Sequence, residues 1–153
     1  QSGLESAYLP ARFENIPVPK RYEHIRNIII DGAHTAVSIK YTISTLEEIF
    51  GTRKKDFHLL FACAKDKDAK SIAKELRGIF VKIVLTETKT NRAFSAHELK
   101  NIFAAEGLNC SVESDIQNAL LTSLENASKE NAILLITGSF YLAADIMKSL
   151  NRM

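Results

Sequence analysis

Paired cysteines are the first thing missing. The chain has two, Cys63 and Cys110, with no C-x-x-C spacing and no companion histidines at zinc-ligand intervals. Neither a disulfide scaffold nor a metal site has its ligands, and small buried thiols in a reducing cytoplasm are the expected state. A dominant charge is missing as well. Lys and Arg number 20 against 18 Asp and Glu, a formal charge of +2, far from the dense positive field that a phosphate backbone demands, so nucleic acid is not an expected partner. No apolar run approaches the roughly 18 residues needed to span a bilayer, and the amino terminus has no basic region followed by an apolar core. A soluble, untargeted cytoplasmic protein without a membrane partner is expected. Two nucleotide signatures are also absent: no G-x-x-x-x-G-K-[ST] loop cradles a triphosphate, and no G-x-G-x-x-G follows the first strand. Ser139 lacks the G-x-S-x-G elbow of a Ser-His-Asp hydrolase.

What the sequence does have is apolar material in short, regularly spaced runs. With 153 residues, 46% of them hydrophobic, it can bury one shared core in one ordinary domain. Residues 1–8 read as linker before a domain placed at 9–153, and a first residue that is Gln1 and not methionine is expected of a piece of a longer chain. Asn27-Ile28-Ile29-Ile30 reads as a buried parallel strand stopping at Asp31-Gly32. Ile39, Ile43, Leu46 and Phe50 repeat at helical spacing and predict a helix over 35–50, stopped by Gly51. The alternation continues with strands at 57–64, 81–86, 109–112 and 132–136 and helices between them. Ser95-Ala96-His97-Glu98 and Ser114-Asp115-Ile116-Gln117 both have the spacing of a capping box. The second opens a helix carrying Ile116, Leu120, Leu121 and Leu124, and the last helix runs through Tyr141, Leu142, Ile146 and Leu150. Arg12 to Ile16 stands outside the rhythm and is read as an added edge strand. The pattern predicts an α/β, Rossmann-like three-layer domain, a mostly parallel sheet of about six strands with helices on both faces.

In such sheets ligands collect beyond the carboxyl ends of the strands, where loops present side chains and helix amino termini present unpaired N–H groups. Asp31, Gly32 and His34 follow one strand, Lys65-Asp66-Lys67-Asp68 another, Thr86 to Arg92 a third, and Thr137, Gly138 and Ser139 the last. Each has a plainer reading beside the functional one. Asp31-Gly32 and Gly138-Ser139 also serve as turns, Thr35 as a helix cap, and the Lys-Asp-Lys-Asp run as a solvated loop.

Five segments taken in order tip that balance: Leu9-Pro10-Ala11-Arg12-Phe13-Glu14, Ile30-Asp31-Gly32-Ala33-His34, Asp66-Lys67-Asp68, Asn91-Arg92-Ala93 and Thr137-Gly138-Ser139-Phe140-Tyr141-Leu142. Together they resemble the folylpolyglutamate synthase and dihydrofolate synthase family of the Mur ligases, over nearly the whole chain but only the family's carboxy-terminal third. The resemblance implies an ATP-dependent ligase in which ATP phosphorylates a carboxyl group of folate or dihydropteroate and the amine of L-glutamate attacks the acyl phosphate. ATP and Mg2+ are then held mainly by an amino-terminal phosphate-loop domain of the same parent chain, without which this domain is expected to be inactive. Under the resemblance Arg12 and Asp31 contact nucleotide, while His34 and Lys67 are the candidate catalytic residues. Lys67, Arg92, Gly138 and Ser139 are the candidate glutamate contacts.

The chain departs from the family pattern at Ala11, Thr35-Ala36 and Asn91, where members usually have glycine, asparagine-proline and proline. Two alternatives stay open, a muramyl-peptide ligase domain of the same superfamily and a non-catalytic module that binds a nucleotide or amino acid.

Overall fold

Apolar runs too short for a helix and bounded by turn residues become strands here, and the computed structural model, which describes residues 12–153, arranges six of them in one sheet. In chain order the elements are β1 (Glu14–Ile16), β2 (Asn27–Ile30), α1 (Ala36–Phe50), β3 (Phe57–Phe61), α2 (Ala69–Leu76) and β4 (Lys82–Leu85). There follow α3 (Ala96–Ala105), β5 (Ser111–Val112), α4 (Ile116–Lys129), β6 (Ile133–Thr137) and α5 (Phe140–Asn151). The expected linker at 1–8 and the segment Leu9-Pro10-Ala11 lie outside the described residues.

Across the sheet the order is β1-β2-β6-β3-β4-β5. Only β1 runs antiparallel, pairing Asn15 with Ile29. β6 lies at the centre, with Leu135 beside Ile29 on one flank and Leu59 on the other, and all five of its residues are buried. That explains its unbroken Ile-Leu-Leu-Ile, since a strand covered on both faces has no polar side to show. Ile39, Ile72, Leu99 and Phe103, from α1 to α3, pack on one face of the sheet. Leu120, Leu124, Leu142 and Ile146, from α4 and α5, pack on the other. The expected three-layer α/β fold is the one observed.

The connectivity follows from the handedness of crossovers. From β2 to β5 the chain advances in one direction and lays its helices on one face; the return to β6 reverses direction, so α4 falls on the opposite face, where α5 also packs. Strand β6 therefore has neighbours on both sides, β2 and β3, whose following helices leave by the other face.

Local differences from the sequence reading have physical causes. The cap of α4 is Asp115, which accepts from Asn118 N at 2.9 Å, and not Ser114. Glu113 still follows the sheet by donating to the Leu85 carbonyl, and the Ser114 carbonyl accepts from the Thr86 hydroxyl, so the helix starts one residue later. Leu121 and Tyr141 lie on solvent-exposed sides of their helices. At the start of α1, Thr35 and Ser38 form a reciprocal capping box.

Candidate active site

Four loops meet above the carboxyl edge of the sheet, and their backbones interlock before any side chain reaches out. The Ala33 carbonyl accepts from Gly138 N at 2.9 Å and from the Thr137 hydroxyl at 3.4 Å, tying the loop after β2 to the loop after β6. This closeness demands a glycine at 138, and at 32 it leaves no room for a side chain unless the Phe140 ring moves. A Cβ on Gly32 would stand 2.4 Å from the Phe140 ring, and one on Gly138 2.1 Å from the Ala62 carbonyl oxygen. Gly138 also has φ +112°, a region costly for any side-chain-bearing residue. On the far side Lys65 N donates to the Arg92 carbonyl at 2.6 Å and Phe94 N to the Cys63 carbonyl at 3.1 Å, joining the loops after β3 and β4.

Asp31 follows β2 directly, with its carboxylate held at both oxygens. Oδ1 accepts from Ala33 N at 3.1 Å, and Oδ2 from the Thr42 hydroxyl on α1 at 2.6 Å. The turn role of Asp31 is thus real, and the carboxylate is oriented by it. His34 places Nδ1 2.9 Å from the Gly32 carbonyl. A carbonyl only accepts, so Nδ1 donates in this contact, and in the tautomer with its one proton there Nε2 is an acceptor. Ser139 is buried, and its oxygen accepts from Tyr141 N at 3.1 Å and Leu142 N at 3.3 Å at the start of α5. The hydroxyl hydrogen remains to be donated.

The Lys65-Asp66-Lys67-Asp68 run divides by position. Lys65 Nζ lies 3.7 Å from Glu98. Asp68 caps α2, accepting from Ser71 N at 3.1 Å and Ser71 Oγ at 2.6 Å; the Ser71 hydroxyl first, then its N–H, hold the Asp68 carboxyl below its usual range. Asp66, Lys67 and Arg92 have no ion pair among the described residues. Cys63, close beneath this loop, is no nucleophile, because burial above all pushes its thiol up to about 12. Cys110 is likewise pushed up by burial, to about 11.

Two adjacent clefts open here, one on each side of the β6 end. The first, about 410 Å³, is lined by Asp66, Lys67, Thr90, Arg92, Gly138 and Ser139 among others. The second, about 540 Å³, is lined by Arg12, Asp31, Ser38, Tyr41 and Thr42. His34 and Phe140 line both, with ring centroids 5.2 Å apart, and form the wall between them. Paired clefts are what the topology requires. Helices after β2 and β3 leave by one face and the helix after β6 by the other, so a crevice opens on each flank of β6.

Of the residues singled out in the sequence, Lys67, Arg92, Gly138 and Ser139 come together in the first cleft and Arg12 and Asp31 in the second, with His34 on the boundary. Sequence reasoning missed Thr42, Tyr41 and the wall residue Phe140. For Thr42 the sequence held a signal, a hydroxyl beside the apolar stripe of α1; Tyr41 and Phe140 stand out only in the structure, where they are aromatic yet exposed, at 72% and 50%. Among the described residues no group of three His, Cys, Asp or Glu could hold a metal ion, and no helix is long and apolar enough to cross a membrane.

Comparison with known proteins places the chain in a family. The chain is 28% identical over 150 residues to the dihydrofolate synthase/folylpolyglutamate synthase of Bacillus subtilis, covering 98% of this chain and 32% of that protein. It is 29% identical over 132 residues to the UDP-N-acetylmuramoyl-L-alanyl-D-glutamate–2,6-diaminopimelate ligase of Buchnera aphidicola, covering 75% of this chain and 24% of that one. The chain thus spans about a third or less of the length of these relatives. Its fold is that of Escherichia coli FolC in complex with DHPP and ADP, with a TM-score of 0.79 at 19% identity over 96% of this chain and 32% of that one. A bifunctional folylpolyglutamate synthase/dihydrofolate synthase with Mn, AMPPNP and L-glutamate bound aligns with a TM-score of 0.78 at 20% identity, over 97% of this chain and 33% of that one. The family described as Mur ligase, glutamate ligase domain, matches residues 11–140, which takes in both clefts and the wall between them except for Tyr141, and the chain belongs to that family as its carboxy-terminal domain.

Proposed function

We propose that this chain is the glutamate-bearing domain of an ATP-dependent ligase of the folylpolyglutamate synthase/dihydrofolate synthase type, joining L-glutamate to a carboxyl group of folate or dihydropteroate. The observation that carries the reading is the segregation of its polar groups. Lys67, Arg92 and the Ser139 hydroxyl, suited to carboxylates, line one cleft, while Asp31, Arg12 and the exposed Tyr41 ring, suited to a nucleoside and its phosphates, line the other. A ligase that activates a carboxyl with ATP and then admits an amine needs two such compartments side by side.

In this reading Asp31, preset by Thr42, accepts from the ribose hydroxyls, and Arg12 meets phosphate. These residues suit a nucleoside, but among the described residues no loop cradles a triphosphate, so ATP and Mg2+ are assigned mainly to an amino-terminal domain of the parent chain. ATP supplies the phosphoryl group that makes the acceptor carboxyl an acyl phosphate. The glutamate nitrogen, arriving as an ammonium group, first gives one proton to water, then forms the new C–N bond as the C–O bond to phosphate breaks, and His34 Nε2 is the acceptor for the second proton that the nitrogen loses. The isolated domain is expected to be inactive.

The test is a pair of variants in the parent chain. Asp31→Ala raises the KM for ATP and Lys67→Ala the KM for glutamate, each by roughly tenfold or more, since a charge-assisted hydrogen bond contributes about 1.5–3 kcal/mol. A reversed pattern in steady-state kinetics overturns both assignments. The Buchnera relative supports a second reading, a muramyl-peptide acceptor, and assaying folates against muramyl peptides as acceptors decides between them.

A further inference from the structure

We infer that Asp66 receives the ammonium group of the incoming amino acid, and that it restricts the first cleft to α-amino dicarboxylates. The inference rests on the reading of this cleft as the amino-acid site. Of the four charges in the loop after β3, Lys65 is engaged with Glu98 and Asp68 with the amino terminus of α2, which leaves Asp66 and Lys67 on the cleft. Arg92 reaches the same cleft from the loop after β4, held there by the Lys65–Arg92 backbone bond and the Ala64–Ala93 bridge.

The cleft thus offers two cations and one anion, none of them neutralised by another side chain among the described residues. An α-amino dicarboxylate carries two anions and one cation, the complement group for group. A lining of Lys67 and Arg92 alone would accept any small dianion. Adding a carboxylate makes a bare dianion worse and a ligand with an ammonium group better, so discrimination comes from a repulsive element as much as from an attractive one. Asp66 and Lys67 are adjacent in the chain and line the same cleft without forming an ion pair with each other. A volume of about 410 Å³ is ample for a ligand of this size. In this arrangement Asp66 binds and orients the nitrogen that attacks, and Lys67 and Arg92 bind the carboxylates.

The experiment compares L-glutamate with glutarate, which has the same carboxylates and carbon chain but no ammonium group. In the parent chain, Asp66→Asn, Lys67→Gln and Arg92→Gln are assayed by glutamate-dependent ADP release, with glutarate as competitive inhibitor and circular dichroism as the check on folding. Asp66→Asn is expected to raise the KM for glutamate about tenfold or more while leaving the Ki of glutarate unchanged or lower. Lys67→Gln and Arg92→Gln are expected to raise both constants. Asp66→Asn raising both by the same factor, or neither, overturns the proposal while leaving the cleft as the amino-acid site. If Lys67→Gln and Arg92→Gln leave both constants untouched, it is the reading of the cleft itself that fails.

Discussion

Ser139 shows how one side chain can serve the fold and the site at once. Its oxygen accepts from two backbone N–H groups of α5, which would suffice to explain a serine there, yet its hydroxyl hydrogen is uncommitted and the first cleft adjoins it. The two roles separate by substitution in the parent chain. Ser139→Ala loses the cap and should lower stability by roughly 0.5–2 kcal/mol, whereas Ser139→Gly should cost only a few tenths. If the hydroxyl also meets substrate, both variants lose about tenfold or more in turnover per folded molecule, and melting curves alongside kinetics show it. A glycine variant as active as the parent would reduce Ser139 to a cap. The neighbouring charge run makes a related point about what sequence can reveal. Four alternating charges were visible, but which two are spent on the fold depends on Glu98 and Ser71, one far along the chain and one a turn into α2.

At the scale of elements, most of the order of strands and helices was legible because each strand is a short apolar run and each helix has its own stripe and cap. Thr35 and Ser95 cap where spacing placed them. The start of α4 was misplaced by one residue because the Ser114 carbonyl is taken by Thr86, a partner just past the end of β4 that periodicity along one segment cannot show. The pairing of clefts was not legible for the same reason, since it depends on which strands are neighbours. The turn between β6 and α5 is where an element change should be felt most. At Gly138 an added methyl would meet the Ala62 carbonyl at 2.1 Å and the Phe61 ring at 2.6 Å, on a backbone with φ +112°. Gly138→Ala should therefore destabilise by roughly 2–5 kcal/mol, from strain and overpacking together, and thermal melting would read it as a drop of about 5–20 °C. A variant melting with the parent would mean that the loops are looser than their hydrogen bonds indicate.

For the whole molecule, acid sensitivity should originate at the edge of the sheet opposite the clefts. His58, buried in β3, donates from Nε2 to Glu130 Oε1 at 3.0 Å, and Lys82 Nζ meets the other oxygen at 2.8 Å. Burial holds the His58 ring below its ordinary 6.5, outweighing the opposing pull of Glu130. The unfolded chain then takes up a proton that the folded one refuses, so stability is full above 6.5 and is lost as pH falls through the folded value, by at most about 1.4 kcal/mol per pH unit. The Glu130 carboxyl, held low chiefly by Lys82, adds a loss of the same sign below 4.5. Melting temperature measured from pH 7 to 5 should fall less steeply in His58→Gln than in the parent, and equal slopes would assign the acid sensitivity elsewhere. The position of β6 has one more effect, on synthesis. Because the strand that joins β2 to β3 is made after the other five of the sheet, a ribosome must pass residue 137 before the sheet can close, and until then β1-β2 and β3-β4-β5 have no strand to join them. A premature stop anywhere before Ile133 removes an inner strand of the sheet and not its margin.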